Sequence, residues 1–272
     1  MIYKGRNNYK ENYARLLMGN KRGQATIFVI VAIAIVGLIA ATVFFFPRIQ
    51  ETLAPGTFSP STYLKDCIGP EIKPAAESLA QHGGYLDPEG FIFYGGEKIK
   101  YLCYSSEDYD TCTVQEPMVK GSFEKQLNNI AASKAEQCFS NLKREYERRG
   151  YTLSAGKAAT NLEIIPGKIQ VSFLVPTTIS KGEITQKFNK FEAEIPSEMY
   201  EILFVAQSIV DYESTYGDSE TTLYMQYYPN LKIDKRKLDD GSKIYILSNT
   251  VTKESFTFAT RSRVFPAGYG FE

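Results

Sequence analysis

The sequence predicts an α+β protein: one N-terminal transmembrane helix, then an extracytoplasmic ectodomain of mixed helices and antiparallel sheet. Three observations predict it. Ala25 to Phe46 is an unbroken apolar run without charge, Asn, Gln or Pro; at helical rise it spans roughly 33 Å, the thickness of a bilayer core. All four cysteines, Cys67, Cys103, Cys112 and Cys138, follow that run. Beyond it, apolar residues recur at helical spacing over much of 61–150 and alternate as in strands over most of 151–272.

Residues 1–24 form a basic leader. Lys4, Arg6, Lys10, Arg15, Lys21 and Arg22 are opposed only by Glu11, whereas Arg48 and Lys65 follow the run against Glu51. Basic excess on the N-terminal side places that end in the cytoplasm and residues 47–272 outside the membrane. A cleaved secretory signal is the weaker alternative, since the apolar core is long and Ala54 to Gly56 is a poor cleavage site. Residues 47–60, with Pro47, Pro55, Gly56 and Pro60, read as a short non-helical stalk.

The region 61–150 reads as helix–sheet–helix. Leu64, Cys67, Ile68, Ile72, Ala76, Leu79 and Ala80 mark a first helix that Gly83-Gly84 stops. Pro70 and Pro74 predict a kink or two pieces. Gly90 to Tyr94 and Lys98 to Tyr104 read as strands around a Gly95-Gly96 turn. Phe123, Leu127, Ile130, Ala131, Ala135, Cys138, Leu142 and Tyr146 then stripe a long helix ending at Gly150.

The region 151–272 is strand-rich. Glu163 to Ile165 turns at Pro166-Gly167 into the alternating stretch Ile169 to Val175, and Phe191, Ala193 and Ile195 continue the pattern. Ser197 is the expected N-cap of a helix striped by Met199, Ile202, Leu203, Ala206, Ile209 and Val210. Thr221 to Tyr228, Lys243 to Leu247 and Ser255 to Arg261 read as strands, with a turn at Asp240-Gly241 and a loose tail from Pro266. Lys232 to Lys237 is locally basic and reads as a solvated strand or turn.

An even number of cysteines outside the membrane suggests two disulfides, and four cysteines allow three pairings. The preferred one is Cys103–Cys112, closing a short acidic loop, with Cys67–Cys138, because both residues lie on the apolar stripes of their helices. Buried free thiols are the alternative; no C-x-x-C spacing supports zinc.

His82 is the only histidine, which removes Ser-His-Asp, Cys-His and multi-histidine metal chemistry. Its place before Gly83-Gly84 reads as a helix C-terminal cap. Glu107, Asp108 and Asp110 lack the glycine and distal glutamate of an EF-hand loop and read as a solvated loop. The formal net charge is zero, so no nucleic-acid partner is expected. No cofactor and no metal are expected either.

Lys21-Arg22-Gly23-Gln24 followed directly by an apolar helix resembles the class III, type IV pilin-like leaders of archaea. The resemblance implies a processing site between Gly23 and Gln24, a prepilin peptidase as partner, and a mature chain that keeps its membrane helix. Phe28 stands where many such leaders carry an acid, and Pro47 ends the helix where pilins usually continue it. The order of leader, cysteine-bearing helix, Gly-Gly-Tyr stretch, second cysteine-bearing helix and strand-rich region is similar to uncharacterised single-pass envelope proteins of small-genome archaea.

The expected function is that of a membrane-anchored, non-enzymatic cell-envelope or surface protein with an interaction or pilin-like assembly role, its partners being the lipid bilayer and other envelope proteins. An extracytoplasmic ligand-binding domain for solute capture or sensing is the alternative. A carboxylate-dependent envelope hydrolase is a further one, requiring two facing acids roughly 5 to 10 Å apart.

Overall fold

The computed structural model describes residues 28–38 and 58–264. The leader, the Gly23-Gln24 site, nearly all of the stalk and the C-terminal tail lie outside them. Residues 28–38 are helical with every side chain exposed. Among the described residues no helix is long and apolar enough to cross a membrane; the expected span, 25–46, extends past this stretch at both ends.

From Pro60 onward the chain is a separate compact unit of mixed α+β structure. Its elements are α1 (Pro60–Gln81), β1 (Phe91–Tyr94), β2 (Glu97–Tyr104), β3 (Thr113–Val114), α2 (Val119–Arg148), β4 (Thr152–Ala155), β5 (Ala159–Ile165), β6 (Lys168–Lys181), β7 (Ile184–Pro196), α3 (Met199–Tyr216), α4 (Thr222–Tyr227), β8 (Leu231–Lys237), β9 (Ser242–Asn249) and β10 (Ser255–Arg261).

Two sheets hold the helices. The larger runs β1-β2-β10-β9-β8, with β3 also paired to β2, so it takes strands from both halves of the chain. The smaller centres on β6, which pairs with β7 along one edge and with β4 and β5 along the other. α1 packs against α2, β7 and β10, while α3 touches β10, β2 and β9 of one sheet and β5 and β6 of the other. The core therefore lies in the helix layer and on the two sheet faces turned toward it. Leu64, Ile68, Phe123, Leu127, Phe173, Leu203, Phe256 and Phe258 are fully buried there, and removing that apolar surface from water is the main stabilising term.

Three expectations are corrected and two are narrowed. α1 is one continuous helix through Pro70 and Pro74, so of the expected kink or two pieces the second is excluded. Both prolines lie on the exposed face at i, i+4 spacing, so the carbonyls that lose amide partners can be solvated. The sheets are not wholly antiparallel: β2 and β10 pair in parallel. That pairing is available because β2 and β10 are far apart in sequence and no tight turn constrains their direction. Thr221 to Tyr228 contains a helix, α4, not a strand. A stretch this short fits either period. Its contacts decide: Tyr224 hydroxyl meets Ser208 Oγ at 2.9 Å, and Met225 Sδ accepts the Ile233 N–H at 3.4 Å. The cap position of α3 is Glu198, one residue after the expected Ser197. Of the strand or turn expected for Lys232 to Lys237, the strand holds: these residues lie in β8, an edge strand of the large sheet, where lysines discourage pairing with foreign strands.

Candidate functional site

The β9–β10 turn is placed against the start of α3, and a cleft lies beside them, lined also by α1. Helix starts leave backbone N–H groups without intrahelical partners. Here the Glu254 carboxylate supplies what Ser197 alone does not. It accepts the Ser197 hydroxyl at 2.5 Å, the Glu198 N–H at 2.7 Å and the Thr252 hydroxyl at 3.0 Å. Ser197 Oγ in turn accepts the Met199 N–H at 3.2 Å. A carboxylate at the positive end of a helix is favourable, so Glu254 acts as a built-in anion for α3. Replacing Glu254 with alanine should cost about 1–2 kcal/mol, read as a shift of the urea midpoint. Glu254→Gln should retain part of the loss-prone hydrogen bonding, and equal stability of all three proteins would refute the capping role.

The cleft beside this cap has a volume of about 500 Å³. It is lined by Lys73, Glu77 and Gln81 of α1 and by Thr252 to Ser255, with Ile195 and Met199 among its apolar groups. Its walls are amphoteric, with polar and apolar surface in nearly equal measure. Three carboxylates line it, Glu77, Glu198 and Glu254, but the oxygens of Glu254 are held in the cap. A smaller hollow of about 270 Å³ lies between Phe91, Lys100, Tyr101, Tyr104 and Gln115.

The second polar centre is inside the protein. Glu213 of α3 is completely buried. Its carboxylate accepts the Ser219 N–H at 2.9 Å, the Tyr245 hydroxyl, and the Lys243 ammonium at 2.8 Å. Lys243 also donates to the Gly217 carbonyl and lies 3.2 Å from Asp218. Gly217 ends α3 at φ +90, and a Cβ there would strike the Arg263 side chain at 2.3 Å. Glycine is therefore required on two grounds, conformation and space. Asp218 further binds Lys235 and Lys237. The network joins the end of α3 to β8 and β9, and it reads as a structural rivet rather than a reactive centre, because its donors and acceptors satisfy one another.

Tyrosines give the domain an alkaline limit. Burial, together with the adjacent Glu116 carboxylate, pushes Tyr85 up to about 12. Burial, then the Glu213 charge and hydrogen bond, pushes Tyr245 up as well. A raised folded-state value means that the stabilisation is complete below the unfolded value of about 10 and is lost as pH rises through the folded one. Urea midpoints should therefore fall between pH 10 and 12, with a shallower fall in Tyr85→Phe. An identical slope in that variant would remove Tyr85 from the explanation.

The sequence-selected residues fall as follows. Gly23 and Gln24 lie outside the described residues. Cys67 of α1 is bonded to Cys138 of α2 with Cα atoms 5.8 Å apart, and Cys103 of β2 to Cys112 with Cα atoms 5.3 Å apart. His82 Nδ1 donates to the Ser78 carbonyl at 2.7 Å and Nε2 lies 2.9 Å from Glu97, which is the geometry of a helix-end cap. The acidic loop is tied back by Arg261, whose guanidinium reaches Asp108 at 3.2 Å. Among the described residues no group of His, Cys, Asp and Glu has the arrangement of a metal site. Sequence reasoning missed Glu254 and the Glu213–Lys243 pair. The one available signal for the pair was an acid on the apolar face of α3, three residues beyond Val210.

No protein-family model, curated protein or solved structure matches this chain.

Proposed function

We propose that this chain is a membrane-anchored, non-enzymatic cell-envelope protein that works by contact with other envelope components, pilin-like assembly being the most specific form of that role. The observation that carries the reading is the apolar run Ala25 to Phe46 directly after Gly23-Gln24, joined to a domain with two disulfides. A stretch of that length and apolarity favours lipid over water, and disulfides favour an oxidising compartment. The charge asymmetry around the run supports a cytoplasmic N-terminus. The resemblance to archaeal class III leaders supports prepilin-peptidase processing.

The mature N-terminus, measured by mass spectrometry of the membrane fraction, tests this. A chain starting at Gln24 supports the pilin-like route, and one retaining Met1 or Ile2 supports a plain signal anchor. A chain starting beyond Ala54 in the soluble fraction would overturn membrane anchoring. The cleft between α1 and the β9–β10 turn favours a second reading, capture of a small polar solute by Lys73, Glu77 and Lys253 of its lining.

A further inference from the structure

The zero net charge conceals a separation of charge between two surfaces. Between Met199 and Asn230 the chain has five acids and no lysine or arginine, and it concentrates six of the 19 tyrosines there: Tyr200, Tyr212, Tyr216, Tyr224, Tyr227 and Tyr228. Glu213 is buried against Lys243 and Asp218 is held by Lys235 and Lys237, so the outer face of α3 and α4 is aromatic and owes its acidity to Glu201, Asp211 and Glu220. Phe204, Tyr212 and Tyr216 follow one another at helical spacing along α3, the last two with rings 4.7 Å apart. The Ser208–Tyr224 hydrogen bond joins α4 to this row, adding Leu223 and Tyr227, the latter 82% exposed. All five of these large side chains are at least 39% exposed, and clustered exposed apolar surface marks a contact site. Glu201, Asp211 and Glu220 are exposed around it.

The opposite character lies at the far end of the small sheet. Residues 181–187 at the β6–β7 turn are all exposed, Ile184 at 71%. Among the described residues β7 pairs with no strand other than β6, and α1 packs against it. Lys181 and Lys187 stand here against Glu183, Lys190 is paired with Glu192 at 2.6 Å, and the exposed Arg148 and Arg149 of α2 sit alongside, both on Glu145, with Lys181 donating to the Arg149 carbonyl at 3.1 Å; the region keeps a basic excess.

From this arrangement we infer that the domain associates head-to-tail, the basic β6–β7 arm of one copy resting on the acidic tyrosine face of the next. The partner is a second copy because the charge that the α3–α4 face lacks is carried by the same chain on a different surface. Lysines seated over exposed tyrosine rings gain a cation–π contact in addition to the ion pairs. The domain uses that contact internally, with Lys100 over Tyr85 and Lys181 over Tyr151, each 4.5 Å from the ring centre. Because the two patches differ, the contact is heterologous and propagates into rings or chains rather than closing as a two-fold dimer. The inference rests on the reading that this protein acts by contact with envelope components, and it names the component.

Full-length protein in detergent micelles tests it by light scattering and by carbodiimide coupling of amines to carboxylates. Wild type should form multimers that weaken with salt, with coupled peptides joining Lys187 or Lys190 to Glu201, Asp211 or Glu220. Reversing the arm (Lys187→Glu with Lys190→Glu) or the face (Glu201→Lys with Asp211→Lys) should weaken association about tenfold or more. Mixing the two variants should restore it, because reversed arm then meets reversed face, and this rescue also shows that both variants fold. A monomeric wild type, coupling between like faces only, or mixed variants that stay apart would each overturn the inference. A monomer found in the membrane fraction with its anchor intact would do so while leaving the anchored-protein reading standing.

Discussion

Removing the Cys67–Cys138 bridge should be among the most damaging changes that can be made to the domain from Pro60 onward. The two residues are 71 positions apart. In the chain-entropy account, opening a loop of that size restores freedom to the unfolded chain worth about 4 kcal/mol. The Cys103–Cys112 loop, with a separation of 9, yields about 2.5 kcal/mol by the same relation. The bridge also joins α1 to α2 across the helix layer that both sheets grip, so its loss loosens the centre, whereas the second bridge secures a peripheral loop. A Cys67→Ala, Cys138→Ala double variant should therefore show a markedly lower urea midpoint than Cys103→Ala, Cys112→Ala. The unfolding slope of the first should exceed that of wild type, since the unbridged chain exposes more surface. Equal losses from the two pairs, or a greater loss from the short loop, would contradict the account.

The long elements were legible in the sequence because their apolar stripes are long enough to fix a period. The stripe of α2 runs from Phe123 to Tyr146, and every residue expected to be buried along it is buried except Ile130, which is partly covered. The two cysteine pairs were legible for the same reason: a helix stripe places Cys67 and Cys138 on facing surfaces, and a nine-residue separation brings Cys103 within reach of Cys112. Short or long-range features were not legible. α4 is too short for periodicity to separate helix from strand, and its contacts with Ser208 and Ile233 settle the matter. The parallel β2–β10 pairing joins residues such as Cys103 and Thr260, for which no local signal exists. Glu254 was invisible as a cap for the same reason, because it reaches α3 from 56 residues away. Ser197 carried the local capping signal and does contribute, but the anion that completes the helix start is delivered by the fold.

Lys243→Met should destabilise the protein by about 3–5 kcal/mol, because it leaves the fully buried Glu213 carboxylate without its cation. The size of the effect comes less from the attraction that is lost than from the charge left behind. Glu213 would keep the Tyr245 hydroxyl and the Ser219 N–H, which solvate it without neutralising it. Adding Glu213→Gln to Lys243→Met should therefore recover part of the stability, and a double-mutant cycle should give a coupling of at least about 1 kcal/mol. Additive losses would mean that the pair is not a unit. The acid limb offers a separate check through Asp218. Burial alone would raise this carboxyl, but the hydrogen bonds from Lys235 and Lys237 and the charge of Lys243 outweigh it and hold it well below the usual carboxylate range. A depressed folded-state value gives stabilisation that is present above the unfolded value of about 4 and is lost as pH falls through the folded one. Wild type should accordingly lose stability as the pH drops below about 4, and Lys243→Met, with one cation fewer beside Asp218, should lose less over the same interval. A steeper acid loss in the variant would show that Lys243 acts on Glu213 alone, and that the end of α3, β8 and β9 are not held by one connected network.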